Sequence, residues 1–175
     1  MKRRLFVSIF FLLPLALLTN CNNESDKSTT STLNTETNNK TMDKEQLTSF
    51  GKKYSEAWCS QKPASVAAFF STNGSLKVNA DSPAVGREAI TKVAEGFMTA
   101  FPDMIVAMDS LITNPNRTEF HWTLTGTNAG PGGTGNKVKV SGFEVWNFSE
   151  DGLIEKSIGS FDAAEYNRQL KDGVK

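Results

Sequence analysis

Histidine and cysteine are nearly missing from this chain: its 175 residues contain one His and two Cys. A structural zinc site draws four ligands mainly from these types, so no metal centre is expected. Charge of one sign is missing too, with 19 Lys and Arg against 19 Asp and Glu. No basic patch and no interleaving of basic with aromatic residues is visible, which argues against nucleic acid as a partner. No apolar run is long enough for a spanning helix, since the run from Leu5 to Leu18 is short and broken by Pro14. A phosphate loop is absent as well. The glycine-rich stretch from Gly130 to Gly135 lacks the Lys-Ser/Thr pair and lies between strand-like segments. No cofactor is expected.

What is present begins with a leader. Met1 to Arg4 is a basic n-region, the apolar run follows, and residues 1–20 read as a secretory signal peptide. The tetrapeptide from Leu18 to Cys21 is similar to the processing box of bacterial lipoproteins, in which the cysteine is acylated and becomes the mature N-terminus. The alternative is an ordinary cleaved signal followed by a chance cysteine. A lipidated Cys21 anchors the protein to a membrane it does not span, which places the domain in the bacterial cell envelope, outside the cytoplasm. Only Cys59 then remains, so no intrachain disulfide is expected, and a small buried hydrophobe is its simplest role. Removal of Lys2, Arg3 and Arg4 leaves sixteen basic side chains against nineteen acidic ones. Residues 21–42 read as a tether: Asn, Ser, Thr, Glu and Lys dominate, and burial of Leu33 alone cannot offset the entropy of ordering.

The domain is expected over 43–175. Leu47, Phe50, Tyr54 and Trp58 recur at helical spacing behind Asp43, a suitable cap. Pro63 opens a shorter helix that Asn73-Gly74 is expected to end, and 75–79 is a short strand. A third helix, 87–100, carries Ile90, Val93, Phe97 and Phe101 on one face and stops at Pro102. A strand over 104–112, a turn at 114–116, three strands with period-2 alternation and a short helix over 163–171 complete the chain. The order predicts an α+β domain with helices on one side of an antiparallel sheet.

The apolar residues phase these strands. Phe120, Trp122, Leu124, Gly126 and Asn128 point inward, with His121 outward. Val138, Val140, Gly142, Glu144, Trp146 and Phe148 point inward from the next strand, and Ile154, Ile158, Ser160 and Asp162 share a register in the last. Burial raises a carboxylate's pKa, so Asp162 and Glu144 are candidates for acid–base chemistry. Asp162 is the stronger one, at a strand end where a cavity mouth would open; a helix N-cap ahead of Ala163 is its other reading. Glu144 has the alternative of pairing with a lysine at the sheet edge. Asn128 either holds a substrate carbonyl or serves turn chemistry, and Tyr54 and Trp58 either line a pocket or fill the core.

Several stretches, taken in order, resemble the SnoaL-like polyketide cyclase family of the nuclear-transport-factor-like and ketosteroid-isomerase-like group. They are Tyr54 to Trp58, Gly86 to Ile90, Phe101 to Asp103, Trp122 to Thr127, Thr134-Gly135, and Asp151 to Ile154 leading to Asp162. The resemblance implies a cone-shaped curved antiparallel sheet wrapped around about three N-terminal helices, enclosing an apolar pocket, with a homodimer common in the family. It also implies an aspartate, here Asp162, acting as general acid/base in a ring closure that needs no cofactor or metal. The chain departs from the family pattern at three places: Asn128 stands where a pocket histidine is common, Ser157-Ile158 where His-Trp is common, and no acidic residue follows Trp58.

Two functions follow. One is a lipid-anchored protein that binds an apolar small molecule in its cavity, the thinned set of polar pocket residues favouring binding without chemistry. The other is a cofactor-independent cyclase or isomerase acting on an enolisable carbonyl compound. In that reading Asp162 is the base, Asn128 or Tyr54 holds the oxyanion, and Trp58, Phe97, Phe101, Trp122, Glu144, Trp146 and Ile158 contact substrate.

Overall fold

A computed structural model describes residues 42–114 and 117–175; the expected signal peptide, Cys21 and nearly all of the expected tether lie outside the described residues. Helix α1 (Lys44–Cys59) starts where Asp43 accepts from the Gln46 N–H while the Gln46 side chain accepts from the Asp43 N–H, a reciprocal capping box. Its buried stripe holds Leu47, Gly51, Tyr54 and Trp58. Gly51 permits a close approach to the sheet: a Cβ there would lie 2.8 Å from the Met108 sulfur. Helix α2 (Pro63–Ala67) follows, then strands β1 (Phe70–Val78) and β2 (Ala84–Val85), and helix α3 (Arg87–Ala100). The long strands are β3 (Ile105–Asn114), β4 (Arg117–Thr127), β5 (Lys137–Phe148) and β6 (Ile154–Phe161), and helix α4 (Ala163–Asp172) ends the domain.

The six strands form one unclosed, curved sheet in the order β2-β1-β6-β5-β4-β3. The meander β3-β4-β5-β6 is antiparallel, as the alternation predicts, but β1 pairs parallel to β6. The sheet is therefore mixed. Asn73-Gly74 does not end α2; it lies inside β1, where the pairing to β6 shifts register between Phe70 and Ser75. Two glycines explain the shape of the long turn before β5. A Cβ on Gly130 would collide with the Thr99 carbonyl oxygen, and one on Gly133 with that of Asn128. The turn folds onto α3 and then receives the end of α4: the Thr134 hydroxyl and the Asn136 amide donate to the Leu170 carbonyl at 2.6 and 3.0 Å.

The core lies between α1, α3 and the inner face of the sheet. Tyr54, Phe70, Ile90, Phe101, Phe120 and Ile154 are fully buried there, with Trp146 nearly so. Phe120 and Trp146 stack at 4.7 Å on neighbouring strands, and Tyr54 from α1 meets both rings edge-on at 5.5 and 5.2 Å.

Candidate functional site

Register explains why this sheet holds a hollow. Directly opposed residues share a face, so the inner face has Phe120, Glu144 and Gly159 side by side on β4, β5 and β6. The next row is Trp122, Gly142 and Phe161. Two positions in these adjoining rows are glycines and fill no space. Trp122 bends over one of them, its ring carbon Cζ2 2.6 Å from where a Gly142 Cβ would be. The result is a hollow of about 600 Å³ when the open solvent at its mouth is counted with it. Leu76, Val106, Leu124 and Val140 supply aliphatic wall, and Trp58, Phe97, Trp122, Phe161 and Tyr166 supply aromatic wall.

Glu144 is the one carboxylate in that lining and is only 6 % exposed. Its Oε2 accepts from the Ser157 hydroxyl at 2.6 Å, the Trp146 indole N–H at 2.9 Å and the Tyr54 hydroxyl at 3.1 Å. Its Oε1 has one long contact, to Tyr54 at 3.4 Å. All three donors are neutral, and no ion pair among the described residues includes Glu144. Burial pushes the carboxyl pKa up, and the donations from Ser157, Trp146 and Tyr54 only partly oppose that. Tyr54 is pushed well above the ordinary tyrosine value, first by burial and then by the negative charge of Glu144. The arrangement holds an acid without a counter-ion in the wall of an apolar chamber. It can accept a proton, or attract a cation.

The sequence-predicted residues fall into three groups. Trp58, Phe97, Trp122 and Glu144 line the cavity together. Tyr54 and Trp146 lie behind it in the core, joined to it through Glu144, and Phe101 is fully buried against Gly126. Asp162, Asn128 and Ile158 are not brought to the cavity. Asp162 is exposed, and its side chain accepts from the Glu165 N–H at 2.9 Å as the N-cap of α4, which is the cap reading of this residue. Asn128 serves the turn: its Oδ1 accepts from the Thr134 N–H at 2.9 Å and its amide donates to the Ala100 carbonyl at 3.4 Å. Ile158 sits opposite Val145 on the outer face.

The displacement of Ile158 has one cause. Between the pairs Phe148–Ile154 and Asn147–Lys156, β6 spends one residue more than β5. This bulge carries the inner face from Ile154 to Ser157, Gly159 and Phe161, and takes Ile158 and Ser160 off it. Strict alternation from Ile154 misses it. Ser157 and Phe161 therefore enter the site unforeseen, and so does Tyr166, which α4 brings to the lining. Glu144 pairs with no lysine, because its strand position is interior to the sheet. His121 faces outward as phased, stacked on Phe143 and bonded to Glu119 at 3.1 Å. Among the described residues no three His, Cys, Asp or Glu side chains gather where a metal could be held.

An α+β cone of this topology, with an apolar chamber between helices and curved sheet, is the nuclear-transport-factor-like and ketosteroid-isomerase-like fold. Residues 49–170 match the model of the SnoaL-like polyketide cyclase family, and the chain belongs to that family. Among solved structures, TsrD from Streptomyces laurentii is similar with a TM-score of 0.65 at 17% identity, over 74% of this chain and 98% of that one. SalBIII, an epoxide hydrolase/cyclase-like enzyme with a role in pyran ring formation in the polyether salinomycin, gives 0.60 at 14% identity, over 70% and 95%. A protein of ketosteroid isomerase-like fold from Catenulispora acidiphila, in complex with trimethylamine, gives 0.62 at 12% identity, over 70% and 92%. At these identities the likeness is one of fold. No curated protein matches the chain in sequence.

Proposed function

We propose that this protein is a lipid-anchored binding domain of the bacterial envelope that holds a compact, largely apolar small molecule in the sheet–helix cavity. The observation that carries the reading is the chamber itself, walled by Trp58, Phe97, Trp122, Leu124 and Phe161 and hollowed by two glycines in adjoining rows. The lipoprotein-like Leu18 to Cys21 segment supports the anchor. Native mass spectrometry of the full-length protein, purified from its own host, tests it. A co-purified small molecule that is lost from a chamber-filling Val140→Phe variant is the expected result. Wild-type protein without any bound species contradicts the reading.

A second reading, favoured by the uncompensated acid, is a cofactor-independent isomerase or cyclase for an enolisable carbonyl compound, with Glu144 rather than Asp162 as the base. A desolvated carboxylate with a raised pKa is a stronger base than a solvated one. Turnover lost in Glu144→Gln and kept in Asp162→Asn supports this assignment; the opposite pattern returns the role to Asp162.

A further inference from the structure

We propose that the ligand of this cavity is an alkylated ammonium cation, tertiary or quaternary, with Glu144 as its counter-charge and the aromatic wall around its methyl groups. The inference rests on the reading that the cavity holds a small molecule, and it names the class of that molecule. A buried ionised carboxylate needs a partner of opposite charge or loses its charge, and this one has three neutral donors and no cation. No Lys, Arg or His lines the chamber. The donors crowd onto Oε2, so Oε1, with its single contact at 3.4 Å, is the atom left for a ligand charge.

The rings are placed to complete such a site. Trp58 and Phe97 meet edge-to-face at 6.0 Å on one wall. Trp122, Phe161 and Tyr166 form a second chain at 6.0 and 5.4 Å. A cation within about 6 Å of such ring faces gains from their quadrupoles, most with Trp and most when desolvated. The wall also selects within the amines. A primary ammonium carries three N–H donors that need acceptors, and walls of Leu, Val, Phe and Trp offer almost none. A fully methylated nitrogen needs none and presents an apolar surface with the charge beneath it.

Calorimetry on the full-length protein in detergent, comparing choline with its uncharged isostere 3,3-dimethylbutan-1-ol, tests the proposal. Wild-type protein is expected to bind choline about tenfold more tightly than the alcohol. In Glu144→Gln that preference should collapse. Phe97→Leu, which keeps the carboxylate and its donors, provides the second test should the first variant not fold: choline affinity should fall severalfold more than that of the alcohol. Equal or tighter binding of the alcohol overturns the cation while leaving the cavity-binding reading in place. Failure of both probes overturns the cation as well, and a neutral co-purified molecule in the native mass spectrum does so independently.

Discussion

At Glu144 three neutral hydrogen bonds work against desolvation, and desolvation is the larger effect. The sign of the pH dependence follows. In the unfolded chain this side chain titrates near the ordinary value of 4.5, and in the folded protein it titrates higher. Below the lower value both states hold the proton and the buried carboxyl costs little; as pH rises from there through the folded value the unfolded chain gives up its proton first, so stability is lost and then levels off. The unfolding free energy of wild-type protein should therefore fall relative to Glu144→Gln as pH rises from about 4.5. A gap independent of pH contradicts this. Ser157→Ala removes the shortest donor at 2.6 Å and should cost about 1–3 kcal/mol, more at alkaline than at acid pH, because the ionised carboxylate depends on that donor more than the protonated acid does. Asp162→Ala should cost about 1 kcal/mol through the lost cap, seen by chemical denaturation, with ligand affinity unchanged. A variant that binds more weakly at unaltered stability would return Asp162 to the site.

Among the elements, β5 and β6 make the site, and they differ in how far the sequence discloses them. The phase of β5 is plain because Val138, Val140 and Trp146 mark one face, and that phase alone puts Glu144 inside. The phase of β6 is not plain, because a bulge is one extra residue with no side-chain signature, here spent between Ile154 and Lys156. The same limit hid the extension of β1 through Asn73-Gly74, where turn-forming residues are overridden by pairing to a neighbour strand far along the chain. Helices α3 and α4 and the start of α1 were legible nearly to the residue, because the Asp43 cap and the stop before Pro102 are local chemistry; α2 was not, since it ends at Ala67 rather than at Asn73-Gly74. What could not be read was that α4 comes to the cavity. That depends on Gln169, which joins the Lys139 N–H and carbonyl on β5 at 2.6 and 2.9 Å. Gly142→Ala should drive the Trp122 ring from its seat, since its Cβ would meet both that ring and the Ser160 carbonyl at 2.6 Å. A loss of about 1–3 kcal/mol with a shift in tryptophan emission is expected.

For the molecule as a whole, the family and the cone were legible because many weak signals agree in order, while the proposed anchor rests on residues 1–21 alone. No helix among the described residues is long and apolar enough to cross a membrane. If Cys21 carries the anchor, Cys21→Ser should move the protein from the membrane to the soluble fraction and abolish incorporation of labelled palmitate; continued labelling contradicts it. The domain's own claim is narrower: fold, glycines and bulge converge to place one acid, uncompensated, in an apolar chamber. The most direct measurement is a carbon-detected NMR titration of the glutamate carboxyls, with Glu144 assigned by its loss in Glu144→Gln. A midpoint above the ordinary glutamate value of 4.5 is expected, with a shift when a small molecule fills the cavity. A midpoint at or below that value, unmoved by ligand, would contradict it.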